Sequence, residues 1–256
     1  MEPIRILVPN DNQSEEAISL AIGYADDIVK LKQGTVQEAI LFVPGKESIT
    51  HTDISSAIGE KNAKKLHDGG VVLLSTGIPM RMETIRTLRW VSKPSVLVSV
   101  YSDSKMLDQV DSTRNLVGIV AIPHIPDALE QWQRTWSPVV HGKAKQQPTQ
   151  LVSDPILEQA LVSLTRSVNL SHAVLHPSDK ELSENTLRIL RANGHTEEPS
   201  NVRSWAIKNG WQPKAADELE KLTQRMFSLK TKPRLTNPDA AQRMYEHWCS
   251  KVLVKC

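Results

Sequence analysis

The sequence predicts an α/β fold, in which a five-stranded, mostly parallel, doubly wound Rossmann-like sheet precedes a small all-α domain. In the first 140 or so residues, five apolar runs each lead into a polar turn and a helical pattern. Strands that are covered on both faces have continuous Val, Ile and Leu, as these runs do. Beyond residue 150 only helical patterns are convincing. The predicted strands are 4–9, 39–44, 71–75, 95–100 and 116–123.

The first strand runs into a cluster of turn and cap formers that includes Asn10, Asp11 and Ser14. The next residues are Glu15 and Glu16, and acidic side chains in a first turn complement the helix dipole. Apolar residues then recur at helical spacing. A helix that starts near Ser14 and leads to the second strand is therefore predicted.

The other βα units follow the same rhythm. A helix is predicted between about 52 and 66, and Met82, Ile85, Leu88 and Val91 line the helix expected after the third strand. Helices at 104–110 and 126–136 follow the fourth and fifth strands. Because connections of this length suit crossovers, parallel pairing is predicted rather than hairpins.

Residues 142–150 are polar, contain Pro148 and predict a linker. The predicted organisation is thus a Rossmann-like domain at 1–141, the linker at 142–150, and a helical domain at 151–256. Capping residues agree with this, since Asn193-Gly194 and Asn209-Gly210 are typical helix ends. The predicted helices are 155–168, 179–192, 201–209, 214–228 and 238–252.

Composition bounds the class of protein. The 256 residues carry a net charge of +2, but residues 203–256 hold 11 Lys and Arg against 5 Asp and Glu. No apolar stretch approaches the roughly 18 residues that span a bilayer, so no membrane partner is predicted. The chain has two cysteines, Cys249 and Cys256, which predict free thiols rather than a disulfide framework. A cytoplasmic location is expected.

Ligands of open α/β sheets bind beyond the carboxyl ends of the strands, where the strand order reverses. A 3-2-1-4-5 order would bring Asp11 towards Asp103, whereas a 2-1-3-4-5 order would bring it towards Ser75 and Thr76. The same residue types also serve as ordinary turn formers and helix caps. The candidate ligand-binding residues are Asn10, Asp11, Ser14, Ser75, Thr76, Gly77, Ser102, Asp103 and His124.

Several familiar sites are missing from the sequence. No Gly-x-Gly-x-x-Gly follows the first strand, and no Gly-x-x-x-x-Gly-Lys-Ser/Thr occurs, which disfavours NAD dehydrogenases and P-loop enzymes. No Gly-x-Ser-x-Gly elbow marks a hydrolase nucleophile. His172 and His176 have metal-ligand spacing, but Pro177 indicates a break there, so no metal site is predicted. Any cofactor is left unknown.

The run from Ile6 to Glu16, with a helix and then Leu41-Phe42-Val43-Pro44, resembles the opening βαβ unit of universal stress proteins. In that family an Asp at the end of strand one contacts a bound nucleotide, and the resemblance implies this role for Asp11. The family's glycine-rich ATP-binding run has no counterpart after the fourth strand, where Tyr101 to Lys105 stand. The resemblance therefore implies a nucleotide-like ligand without specifying ATP.

The helical half contains a pattern typical of a helix-turn-helix, in which Gly210 would permit the turn and Ala216 close packing. The helix after the turn carries Asp217, Glu218 and Glu220, whose charges would repel phosphates. Nucleic-acid association through residues 203–256 is nevertheless kept as an alternative because of their basic excess.

The leading hypothesis is a non-enzymatic protein whose sheet domain binds a small polar or nucleotide-like ligand. Its helical module would contact a partner or form a homo-oligomer. The alternatives are a nucleic-acid-associated protein and an enzyme that uses Asp11, Asp103 or His124 at the strand ends. The sequence does not identify the ligand.

Overall fold

The computed structural model describes residues 2–9, 15–50, 52–145 and 147–253. The chain divides into two compact units, Met1–Pro148, called the sheet unit below, and Thr149–Cys256, called the helical unit. This division falls within the segment 142–150 that was predicted as a linker. Each unit is described by itself.

The sheet unit is built on a seven-stranded sheet with the order β3-β4-β2-β5-β6-β1-β7. Every pair is parallel except β3 with β4. The predicted α/β class with a mostly parallel sheet is confirmed, but the predicted count of five strands is wrong. The strands are β1 Ile4–Leu7, β2 Glu38–Val43, β3 Val72–Leu73, β4 Pro79–Thr84, β5 Ser95–Ser102, β6 Leu116–Pro123 and β7 Val139–Val140.

Helices cover both faces of this sheet. Side chains alternate along each strand, so Val96 and Val98 of β5 join one apolar cluster while Leu97 joins the other. The first cluster includes residues of α1, α2 and α3, and the second includes residues of α4 and α5. The helices are α1 Glu15–Leu31, α2 Asp53–Ile58, α3 Glu60–His67, α4 Ser104–Asp111 and α5 Glu130–Trp136, with a 3-10 turn at Lys46–Ile49.

The third βα unit differs from its prediction. Val72–Leu73 forms a hairpin with β4, and the Gly77 amide donates to the Leu74 carbonyl at 2.9 Å. Gly77 has φ +80°, which suits glycine in this tight turn. The helix predicted along Met82 and Ile85 does not form, because residues 79–84 pair with β2 as a strand. Apolar residues three positions apart, such as Met82 and Ile85, fit a helix. Here the pairing of 79–84 with β2 is favoured over that helix.

Neither of the two strand orders considered from the sequence is correct. β1 lies between β6 and β7, and Leu7 is in register with Ala121 of β6 and Val140 of β7. The carboxyl end of β1 therefore lies next to that of β6, and β5 is two strands away from β1. Strand order depends on pairing between distant segments, which a local pattern does not encode.

The helical unit confirms the predicted C-terminal helical region, and each of the five helices ends within two residues of its predicted bounds. All five begin with proline, whose missing N–H and restricted φ suit the first helical position. No helix in the described ranges is long and apolar enough to cross a membrane. The helices are α6 Pro155–Ser167, α7 Pro177–Ala192, α8 Pro199–Lys208, α9 Pro213–Phe227 and α10 Pro238–Leu253.

Candidate functional site

The strand order reverses between β2 and β5. From β2 the chain continues to β4 on one side, and from β5 it continues to β6 on the other. The helices of the two connections cover opposite faces of the sheet. Because the connections leave in opposite directions, the edge beyond the carboxyl ends of β2 and β5, called the crevice below, is the place where α/β sheets bind ligands.

Tyr101 marks this crevice at the end of β5. Its φ is +57°, a left-handed conformation that costs a non-glycine residue roughly 1–2 kcal/mol. The pairing with β6 shifts register between Ser99 and Ser102, and the Ser102 hydroxyl donates to Ser99 Oγ at 2.6 Å. Such irregularities re-aim a side chain, and they occur often beside binding sites. The bulge places the phenol ring at the crevice.

Side chains from two connections lie around this ring. Burial and the nearby Asp53 carboxylate raise the pKa of Tyr101. A hydrogen bond with the Thr52 side chain lowers this pKa but does not cancel the increase. The phenol therefore keeps its proton at neutral pH and can donate it. The His124 ring lies 6.4 Å from the Tyr101 ring, centroid to centroid, at an interplanar angle of 82°. This edge-to-face pair leaves an aromatic and hydrogen-bonding surface at the carboxyl edge.

Carboxylates stand at the starts of four helices at the carboxyl edge. Glu15 and Glu16 occupy the first turn of α1, Asp53 occupies that of α2, and Glu130 that of α5. Asp103 caps α4, where its carboxylate accepts the Met106 amide at 2.8 Å. Phosphates bind helix N-termini through free amides and positive dipoles, which these carboxylates oppose. These helix starts are therefore unsuited to a phosphate, although Lys46 and Lys105 stand at the same edge.

A small cavity of about 160 Å³ lies further along the same edge, beyond the ends of β1, β6 and β7. Its polar lining includes Asp127, Glu130, Gln133 and Lys143. Pockets for drug-sized ligands measure about 300–1,000 Å³, so this cavity alone suits only a small molecule or part of one.

The candidate residues predicted at the strand ends do not all lie at the same place in the structure. Asn10, Asp11 and Ser14 lie outside the described residues. Asp103 and His124 stand at the carboxyl edge, and the His124 amide donates to the Ser102 carbonyl at 2.9 Å. The Ser102 side chain is buried and bonded to Ser99, so it does not face the crevice.

Ser75, Thr76 and Gly77 lie at the opposite edge of the sheet. They form the turn that precedes β4, and β4 runs parallel to β2, so the turn stands at the amino ends of the strands. The Thr76 hydroxyl donates to the Asp26 carboxylate at 2.7 Å. Burial raises the pKa of Asp26, but hydrogen bonds from Thr76 and Ser75 outweigh it and hold that pKa below its usual value. This turn is fastened to α1 and does not contribute to the crevice.

Thr52, Asp53 and Tyr101 were not among the candidates drawn from the sequence. Thr52-Asp53 has the composition of a helix start, and Thr52 does cap α2. Tyr101 directly follows the apolar run of the fourth predicted strand, which was the available signal. Its left-handed backbone depends on the pairing with β6 and has no local signature.

In the helical unit, the helix-turn-helix pattern corresponds to packed helices. Trp205 and Trp211 are buried. Arg203 Nε of α8 donates to Asp217 of α9 at 2.6 Å and lies 3.7 Å from Glu220. These two carboxylates thus face an arginine of the same unit and help to join α8 to α9.

A family model described as a domain of unknown function (DUF1889) matches residues 153–249. The matched segment lies within the helical unit and extends from just before α6 into α10. No curated protein and no solved structure matches the chain. The similarity therefore concerns the helical unit, and its description names no activity.

Proposed function

We propose that the sheet unit is a Rossmann-like, non-enzymatic binding unit that holds a small polar ligand of the nucleoside type at its carboxyl edge. The observation that carries the proposal is Tyr101, which a strained bulge places at the point of strand-order reversal. Strain of this kind persists where the surrounding structure or a function requires it.

The chemistry around Tyr101 suits a heterocycle that carries hydroxyl or amino groups. The phenol and the His124 imidazole offer ring contacts. The half-buried Asp53 carboxylate accepts hydrogen bonds from such groups. The Thr52 hydroxyl donates to the Ser48 carbonyl and accepts the Ile54 amide, so its role is to hold the Tyr101 phenol in place. A planar, hydrogen-bonding ligand would use the phenol, the imidazole and the Asp53 carboxylate.

The charge of the edge favours a nucleoside over a nucleotide. Carboxylates at the starts of α1, α2, α4 and α5 would repel each phosphate group added to the ligand. We therefore infer that affinity falls from nucleoside to monophosphate to triphosphate. This order is opposite to that of a phosphate-cradling Rossmann site.

We assign the helical unit to contact with a partner or with a second copy of the chain. A cytoplasmic location is part of the same proposal, because free thiols such as that of Cys249 persist in a reducing compartment. Nucleic-acid association remains the alternative for this unit.

A thermal-shift screen of the full chain tests the ligand. Adenosine, guanosine, cytidine and uridine would be compared with their mono- and triphosphates. A ligand at about 100 times its dissociation constant stabilises the native state by about 2.7 kcal/mol, which gives a measurable shift in Tm. We expect at least one nucleoside to raise Tm more than its phosphorylated forms.

Two variants locate the site. Tyr101→Asn removes the ring but tolerates the left-handed backbone, and His124→Ala removes the imidazole. Both should abolish the shift. His67→Ala, at the end of α3, is the matched control and should leave the shift unchanged. If no nucleoside shifts Tm, or if both site variants respond as the wild type does, the proposed function is wrong.

A further inference from the structure

The helical unit contains a groove of about 900 Å³ along α7, between the end of α9 and the start of α10. Its lining residues run from Leu175 to Ala241 and thus lie within the family-matched segment 153–249. Leu182 and Ala240 provide apolar surface, while charged and amide side chains line the remainder. The volume suits a peptide segment better than a single ion.

Two arginines bracket one glutamate in the groove. Arg188 Nη2 donates to Glu184 Oε1 at 2.7 Å, and Arg225 Nη2 donates to Glu184 Oε2 at 2.6 Å. A guanidinium has five N–H donors, and Glu184 uses only part of this capacity. The Arg225 side chain is 59% exposed, so its other donors face the groove and solvent. The bracket shows how these arginines bind a carboxylate.

Further positive charge surrounds the bracket. Lys180 lines the groove and is exposed. The connection between α9 and α10 carries Lys230, Lys232 and Arg234, all exposed. Arg188 Nη1 donates to the Arg234 carbonyl at 3.3 Å, which holds this basic connection beside α7. With Arg188 and Arg225 these make six positive charges, against Glu181 and Glu184 of the lining and Asp239 at the start of α10, so the net charge around the groove is positive.

We propose that this groove binds an extended acidic segment of a partner protein. Arginine forks match carboxylates in geometry as well as in charge, and the apolar surface of Leu182 and Ala240 suits the backbone and stems of such a segment. Single-stranded nucleic acid is favoured less, because the described lining residues offer no aromatic side chain on which a base could stack. The inference rests on the helical unit alone and is independent of a ligand in the sheet unit.

Fluorescence anisotropy with a labelled polyglutamate peptide tests the proposal on the full chain. Polyglutamine is the uncharged control, and oligothymidylate is the nucleic-acid control. We expect polyglutamate to bind at about 0.01 M salt and to lose affinity at about 1 M, where screening is short-ranged. Polyglutamine should not bind.

The variants Arg225→Gln and Lys180→Gln each remove one charge from an exposed side chain. Each should weaken polyglutamate binding about fivefold, as expected for the loss of one charge-assisted contact. Lys214→Gln removes a charge from the other end of α9, about 17 Å from Arg225 along the helix. The variants are compared at about 0.1 M salt, where the Debye length is about 10 Å, so this control should change affinity less than about twofold. Circular dichroism of each variant checks that the helices remain folded.

Three results would overturn the proposal. The first is a lack of polyglutamate binding at low salt. The second is equal binding by the groove variants and the Lys214→Gln control. The third is tighter binding of oligothymidylate than of polyglutamate, which would assign the basic surface to nucleic acid.

Discussion

His195 Nδ1 lies 2.5 Å from Asp154 Oδ2, and the other ring nitrogen of His195 lies 2.9 Å from the Tyr245 hydroxyl. Asp154 also caps α6, where its Oδ1 accepts the amides of Ile156 and Leu157 at 2.9 and 3.1 Å. One carboxylate therefore fastens the start of α6 to the segment after α7, and His195 extends the contact to α10. This chain of bonds joins three elements of the helical unit that are distant in sequence.

Asp154→Ala should destabilise the helical unit by about 2–4 kcal/mol. Loss of the cap costs about 1 kcal/mol. Loss of the hydrogen bond to His195 costs about 1–3 kcal/mol, because the half-buried imidazole then lacks this partner. Urea unfolding, followed by far-UV circular dichroism, measures the change. Asp239→Asn, on the exposed first turn of α10, is the control. Equal stability of the two variants would contradict a structural role for this carboxylate.

Stability of the sheet unit should fall as pH rises from about 4 to 6, because of Asp111. Burial raises the pKa of Asp111 to about 6, despite the charge of Arg5 and a hydrogen bond from Trp136 Nε1. A carboxyl whose pKa is higher in the folded state than its unfolded value of 3.8 stabilises the fold fully below pH 3.8. This contribution, up to about 3 kcal/mol, is lost as pH rises through 6.

The test compares Asp111→Asn with the wild type. The amide does not ionise, so the variant should lose less stability between pH 4 and 7 in urea unfolding followed by tryptophan fluorescence. Trp132 and Trp136 pack in the same cluster and report on this unit. Asp68→Asn, at the exposed end of α3, should follow the wild-type profile. Parallel profiles for the wild type and Asp111→Asn would show that Asp111 is ionised throughout.

Gly118→Ala and Gly23→Ala should have opposite effects. A Cβ at Gly118 would lie 2.8 Å from two side-chain atoms of Ile28, so the Ile28 side chain or α1 itself would have to shift. Overpacking of this kind costs about 1–3 kcal/mol. A Cβ at Gly23 meets nothing within 4 Å, and alanine favours the helix by up to about 1 kcal/mol. Thermal unfolding of both variants measures the two effects. An unchanged Tm for Gly118→Ala would show that α1 packs less tightly against β6 than the structure indicates.

Helix bounds in the helical unit could be predicted because their signals are local. Asn-Gly after α7 and α8 is a property of neighbouring residues, and it marked where these helices end. The prolines that open α7, α8 and α9 lie one or two residues before the predicted starts. The third βα unit could not be predicted in the same way. Met82 and Ile85 have helical spacing, yet pairing with β2 draws 79–84 into the sheet. That pairing joins residues about 40 positions apart, and no local pattern reports it.

Local sequence likewise predicted some residues of the candidate site and missed others. Asp103 and His124 could be placed at strand ends because each lies within three residues of the end of an apolar run. Tyr101 escaped prediction because its left-handed backbone arises from a register shift against β6. Thr76 was assigned to the wrong edge for a related reason, since its strand pairs antiparallel. A candidate's edge depends on strand direction, which the chain acquires only on folding.

The sequence alone predicts three features: the α/β class, the helical C-terminal region and the polar residues at the strand ends. Short-range periodicity and capping chemistry encode all three. The tertiary structure decided the strand order, which placed β1 beyond β6 and left the crevice between β2 and β5. It also brought Tyr101 towards Asp53 and His124, and Arg188 towards Arg225. The physical reason is that these relationships depend on the packing of distant segments, whose energies no window of neighbouring residues contains.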